Sequence, residues 1–170
     1  MRAPAAAYAF TMKAVALIFA AALLAGCATP GLRTLQAGLP EADVTQRWGP
    51  PTGRYTLPSG TRLEFATGPE GLETWMVDLD SSGKTVAWRQ VLEERNLRAV
   101  QGKLPGMTRD ELLSTLGRPG FTRPARMGGE VWSWRHESAF CLWFQVSFNT
   151  SGRVMDAAFA PDPRCDHLDD

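Results

Sequence analysis

Apolar residues recur along this chain in two rhythms, one helical and one strand-like, and their order outlines a fold. Leu39, Val44 and Trp48 recur at spacings of roughly one helical turn. Pro40 suits a helix start, and Glu41 and Asp43 favour its first turn. About two helical turns are therefore predicted over residues 40–48, stopped by Gly49-Pro50-Pro51. Three strand-like runs follow, at residues 61–67, 73–79 and 85–92. In the second, Trp75, Val77 and Leu79 alternate with Thr74, Met76 and Asp78, as in a strand with one buried face. Asp80-Ser81-Ser82-Gly83 carries the turn chemistry of a hairpin.

The pattern then returns. Gly106 to Pro119 lies over Gly38 to Pro51 at an offset of 68 residues, so that Val44 meets Leu112, Trp48 meets Leu116 and Gly49 meets Gly117. Thr108 followed by Glu111 is a capping-box signature. One inserted residue then shifts the offset to 69. Gly60 meets Gly129, Leu63 meets Trp132, Phe65 meets Trp134, and Trp75, Val77 and Leu79 meet Phe144, Val146 and Phe148. A register that holds glycines, turns and core faces together reads as an internal duplication. Each unit, residues 38–92 and 106–161, is then a short helix, a Gly-x-Pro stop and a meander. Residues 93–105 link them, with Leu97, Val100 and Leu104 marking a linking helix. A lone helix and a small sheet each need the other to bury an apolar face. The expected class is α+β: two tandem repeats of short helices packed on a three-stranded antiparallel β-meander, sharing one extended sheet or core.

Ahead of these units, Lys13 precedes an apolar run over residues 14–25 that ends in Leu24-Ala25-Gly26-Cys27. A run of about 12 residues is too short to span the ~30 Å hydrocarbon core, and the order of charge, apolar run and small residues is that of an export signal. Leu-Ala-Gly-Cys resembles the lipobox of bacterial lipoproteins, whose cysteine is acylated and becomes the mature N-terminus. The resemblance implies lipidation of Cys27, where several acyl chains anchor stably and one would be marginal. The same resemblance implies the outer membrane, since Ala28 stands where the family's inner-membrane members carry aspartate. An ordinary signal peptide with a cysteine after small residues is the alternative. Residues 1–26 then form the signal, with Met12 reading as the true start, and residues 27–37 the lipidated cysteine and tether.

Composition narrows the function. Apolar residues make up 44% of the chain, enough for a folded core in one domain or two small ones. Lysine and arginine total 18 against 18 acids; removal of Arg2 and Lys13 with the signal leaves the remainder about two charges negative. No clustered basic face points to nucleic acid. There is no phosphate loop, nucleophile elbow or His-Glu metal spacing, so the expectation is a non-enzymatic chain without metal or cofactor. Cys141 and Cys165 remain once Cys27 is acylated. An even pair in an exported chain permits a disulfide in the oxidising periplasm, closing a loop of about 24 residues for roughly 3 kcal/mol. Two unpaired thiols, one buried and one in a loose tail, are the alternative.

The second unit also carries the candidate surface. With Leu142, Phe144, Val146 and Phe148 inward, Trp143 faces out as a large aromatic anchor; in the other reading the Cys165 tail folds over it. Arg123, Arg126 and Arg135 gather in the loop and strand and can meet acidic protein or lipid headgroups, solvation alone being the alternative. Trp132 and Trp134 read as core, His136 as an exposed strand end, and residues 162–170 as an acidic tail.

The run from Gly106 through Met107-Thr108-Arg109-Asp110-Glu111 to Pro119, then Trp132, Trp134 and the stretch from Val146 to Val154, resembles the SmpA/OmlA (BamE-like) lipoprotein domain. That family joins a lipobox to a G-M-T-x-x-E/Q-V-x-x-x-L-G-x-P helix and an F-D-x-x-G-x-V hairpin. The first unit departs from it, with Pro40 for the usual threonine and Trp48 for the leucine before Gly49. The resemblance implies a periplasm-facing outer-membrane lipoprotein, a scaffold or adaptor in outer-membrane protein assembly or envelope integrity. The partners it implies are envelope proteins such as the barrel-assembly machinery, and anionic phospholipid. Tandem copies of a similar unit occur in β-lactamase inhibitor proteins, so an enzyme-inhibitor or protein-binding module is the second reading; fold alone does not decide.

Overall fold

The computed structural model describes residues 32–126 and 128–167; the signal, Cys27 and the last three residues lie outside them. Helix α1 (Glu41–Trp48) is entered from Pro40 at φ −62° without a side-chain cap. Helix α2 (Glu94–Gln101) follows the first half. Helix α3 (Arg109–Leu116) opens on a complete capping box. Thr108 Oγ1 accepts from the Glu111 N–H at 3.3 Å, and Glu111 Oε2 accepts from the Thr108 N–H at 2.8 Å. Helices α1 and α3 both end at a glycine of positive φ, Gly49 at 83° and Gly117 at 80°.

Two separate antiparallel sheets of four strands complete the α+β fold. Sheet 1 runs β1 (Gly53–Leu57), β2 (Gly60–Thr67), β3 (Glu73–Asp80), β4 (Thr85–Gln90), and sheet 2 runs β5 (Phe121–Pro124), β6 (Glu130–Arg135), β7 (Leu142–Phe148), β8 (Val154–Pro161). The expected three-stranded meander is therefore short by one strand per half, and no single extended sheet forms. Strands β1 and β5 are edge strands with no buried residue, so they lack the buried apolar alternation that marks the others. Pairing makes them strands: Leu57 opposes Gly60 and Pro124 opposes Glu130. The turns admit only glycine at their exits. A Cβ on Gly60 would lie 2.1 Å from the Leu79 carbonyl oxygen, and one on Gly129 would lie 2.0 Å from that of Phe148.

Local geometry recurs between the halves. Asp80 Oδ1 accepts from Ser82 N–H, Ser82 O–H and Lys84 N–H, and Asn149 Oδ1 accepts from the same groups of Ser151 and Arg153. Pro40 bridges Lys84 as Thr108 bridges Arg153.

The elements stack in layers. Leu63, Phe65, Trp75, Val77 and Leu79 of sheet 1 pack with Val44 of α1 and with Leu32 and Leu35. From the other side of sheet 1, Met76 joins Val91, Leu97 of α2, and Leu112 and Leu116 of α3. These residues share one core with Trp132, Trp134, Phe144, Val146 and Phe148 of sheet 2. Helix α3 thus serves both sheets: Arg62 Nη1 donates to the Ser114 carbonyl at 2.9 Å, and Trp134 Nε1 donates to the Gly117 carbonyl at 3.1 Å. At this junction the fully buried carboxyl of Glu64 accepts from Thr52 Oγ1 (3.1 Å), the Tyr55 hydroxyl and the Arg118 N–H (3.3 Å). Burial, and then the Glu64 carboxyl, push the Tyr55 phenol above its ordinary value.

Candidate interaction face

Side chains alternate sides along a strand, so sheet 2 has a second face turned away from the shared core. The strand register assigns to it Phe121 and Arg123 of β5, Val131, Ser133 and Arg135 of β6, and Trp143 and Gln145 of β7. No α-helix among the described residues packs on it, yet Val131, Ser133 and Trp143 are buried, at 8%, 1% and 7% exposure.

At one end, Arg135 and Trp143 meet partners that the sequence does not announce. Trp143 is only 7% exposed. Its ring stacks on Phe121 with centroids 6.1 Å apart, and the Arg135 guanidinium lies 5.4 Å from its centroid. Trp143 is therefore a covered platform and not a free anchor. Arg135 is held as well. It donates through Nε and Nη2 to the two carboxylate oxygens of Asp162, the latter at 2.9 Å, and pairs with Glu70, which also pairs with Arg164. The hydrogen bond from Arg135 holds the Asp162 carboxyl below its usual range, against the opposing effect of burial. On Glu70 burial acts upward, yet the hydrogen bonds from Arg135 and Arg164 keep the carboxyl low.

Cys141 and Cys165 are joined by a disulfide, with Cα atoms 6.4 Å apart. The Asp162 N–H donates to the Cys141 carbonyl and the Cys165 N–H to the Asp162 carbonyl, both at 2.9 Å. The start of the tail is thereby fixed: Asp162 is 6% exposed, not solvated as its composition suggests.

Arg123 and Arg126 are exposed, and neither forms an ion pair with another described residue. Arg123 opposes Val131 whereas Arg135 opposes Trp143, a separation on the order of 13 Å along the strands. The three arginines do not form one cluster. His136 is not an exposed strand end either: it continues the inward face of Trp132 and Trp134, is 5% exposed, and stands edge-on to Phe159 at 5.5 Å.

Two aromatic residues were missed by sequence reasoning. Phe121 is 47% exposed and Phe140, beside Cys141, is 81% exposed. No apolar alternation marks the strand that carries Phe121, because Thr122 and Arg123 are both polar. Among the described residues no group of His, Cys, Asp and Glu is arranged to hold a metal ion, and no helix is long and apolar enough to cross a membrane. The β5 edge of the face offers shape and charge: a half-exposed ring on a fixed platform, and guanidinium groups that form no ion pair with another described residue. Family models, curated proteins and solved structures yield no match to this chain.

Proposed function

We propose that this chain is a lipoprotein of the bacterial outer membrane, anchored through Cys27 and facing the periplasm, that acts as a non-enzymatic scaffold for other envelope proteins. The observation that carries this reading is the β5 edge of sheet 2, where Phe121, Arg123 and Arg126 are exposed. Both faces of sheet 1 and the other face of sheet 2 contribute to packed cores, while here a 47% exposed phenylalanine stands beside arginines that form no ion pair with another described residue. Aromatic residues and arginine are the usual anchors of protein interfaces. The Cys141–Cys165 bond suits an oxidising compartment, in keeping with the lipobox-like Leu24-Ala25-Gly26-Cys27.

On this reading the chain is an internal duplication of the SmpA/OmlA (BamE-like) unit, supported by the matched helix-ending glycines, turns and bridges of the two halves. Its process is outer-membrane protein assembly or envelope integrity, with barrel-assembly subunits and anionic phospholipid as candidate partners. Phe140, protruding next to a disulfide, favours a second reading, an inhibitor module that inserts this loop into a soluble periplasmic enzyme. Metabolic labelling with palmitate followed by membrane fractionation tests the anchor. Label in the outer-membrane fraction, lost on Cys27→Ala, is expected; an unlabelled protein in the soluble fraction overturns the reading.

A further inference from the structure

Gln90, the last residue of β4, is 8% exposed, and its Oε1 is fully buried without a hydrogen-bond partner. A buried acceptor that no donor meets is costly to the fold, and native proteins keep few of them. The Gln90 side chain lines a cleft of about 280 Å³. The last bond of a glutamine side chain turns over a broad range, so a modest rotation presents Oε1 to a donor inside this cleft.

The rest of the lining is acidic and apolar. Glu93 and Glu94 come from the entry to α2, Glu73 from the start of β3 and Glu137 from the segment after β6. The helix dipole accounts for acids at the start of α2, but not for Glu73 and Glu137, which reach the same cleft from the two sheets. Glu93 pairs with Arg95 and Glu94 with Arg98, and neither arginine lines the cleft. Carboxylates gathered around one space repel one another, and a cation among them removes that repulsion. Leu72 and Leu92 complete the lining, an apolar surface of the kind that covers the alkyl stem of a long charged side chain. Gln90 and Glu93 also border a neighbouring cleft, but Arg89 and Arg95 line that one and repel a cation.

We infer that the acidic cleft binds an organic cation, an ammonium or guanidinium group carried on an alkyl stem. Its N–H groups donate to the carboxylates and to Gln90 Oε1, and its methylenes lie against Leu72 and Leu92. No group of acids among the described residues is arranged to hold a metal ion. The space is also several times the ~30 Å³ share of one water molecule, so an alkyl stem accounts for both the room and the leucines. A free diamine and a basic side chain of a peptide share this chemistry. Neither the anchor at Cys27 nor the β5 edge is needed for this site.

The test uses the full-length, isotope-labelled chain in nonionic detergent micelles, with putrescine and a lysine blocked at both ends as probes. NMR of the Gln90 side-chain amide, identified by its loss in Gln90→Leu, should show saturable shifts with at least one probe. A norleucine blocked in the same way carries the stem without the charge and should leave the resonance unmoved. Glu137→Gln and Glu94→Gln should each weaken binding about tenfold, and added salt should weaken it further. Urea unfolding verifies that each variant folds; Glu137 is exposed, so its variant keeps the fold. Tighter binding of putrescine assigns the site to a free diamine, and tighter binding of the blocked lysine assigns it to a side chain of a peptide. No saturable shift with either probe, equal shifts with norleucine, or undiminished binding to Glu137→Gln overturns the inference. Calcium that displaces the probes at equal concentration overturns it in favour of a metal site.

Discussion

Replacing Glu64 by leucine should cut the polar junction that joins the two halves. Its fully buried carboxyl accepts three hydrogen bonds, from Thr52, Tyr55 and Arg118. Thr52 Oγ1 keeps a second acceptor, the Glu64 carbonyl at 3.1 Å, and survives the change. The Tyr55 hydroxyl and the Arg118 N–H lose theirs. Both bonds are only part-buried, so water replaces some of what is lost, and the two together cost about 2–4 kcal/mol. Removing a buried carboxyl offsets part of this, and a net loss of about 1–3 kcal/mol is expected. Glu64→Gln separates hydrogen bonding from packing. Oε1 accepts from both Thr52 and Arg118 while Oε2 serves Tyr55. An amide oxygen in the first position keeps two bonds, and the Tyr55 hydroxyl can turn to accept the third, for a loss of about 1 kcal/mol. Urea unfolding followed by tryptophan fluorescence reports the change as a lower midpoint at unchanged slope, with Trp134 bonded to Gly117 at the same junction. A midpoint for Glu64→Leu equal to that of the parent chain refutes the reasoning. Glutamine as costly as leucine refutes it too.

Leu112, fully buried between the sheets, should lose about 2–5 kcal/mol as Leu112→Ala, measured the same way. Replacing Cys141 and Cys165 by serine should lower stability by about 3 kcal/mol in the chain-entropy model, and thermal melts of the variant should no longer respond to reductant. Asp162→Asn should cost about 1.5–3 kcal/mol at neutral pH through the lost charged bond to Arg135. The folded Asp162 carboxyl is depressed, so its contribution is present above the ordinary carboxylate value and lost as pH falls through the folded one. The gap between the parent chain and Asp162→Asn should therefore close below about pH 4. Thr108→Ala removes the hydroxyl of the α3 capping box and should cost about 1 kcal/mol.

The buried strands were legible because their apolar residues alternate, and the helix limits because proline, capping box and glycine mark them locally. Strands β1 and β5 were not legible: none of their residues is fully buried, and only their neighbours make them strands. Thr74, Met76 and Asp78 read as the outer face of β3, yet Met76 is 1% exposed. That face is mixed, with Arg62 paired to Asp78 beside a buried Glu64, and such a pattern does not announce a second packed layer. The same limit held at the candidate face. Alternation placed Trp143 outward correctly, but its cover comes from Phe121 of an unpredicted strand and from Arg135. That arginine is held in turn by Glu70, 65 residues away in sequence. Contacts of that range leave no local pattern to read.

The central claim is that the exposed β5 edge of sheet 2, at Phe121 and Arg123, meets an envelope protein at the membrane. In-cell photo-crosslinking of the full-length chain tests it most directly, with the photoreactive residue at Phe121 and a control at Val86, which is 54% exposed on β4 of the other sheet. The account expects one discrete protein adduct from position 121 in the outer-membrane fraction, lost with Arg123→Glu and absent from position 86. No adduct from position 121, or the same adducts from both positions, would contradict it.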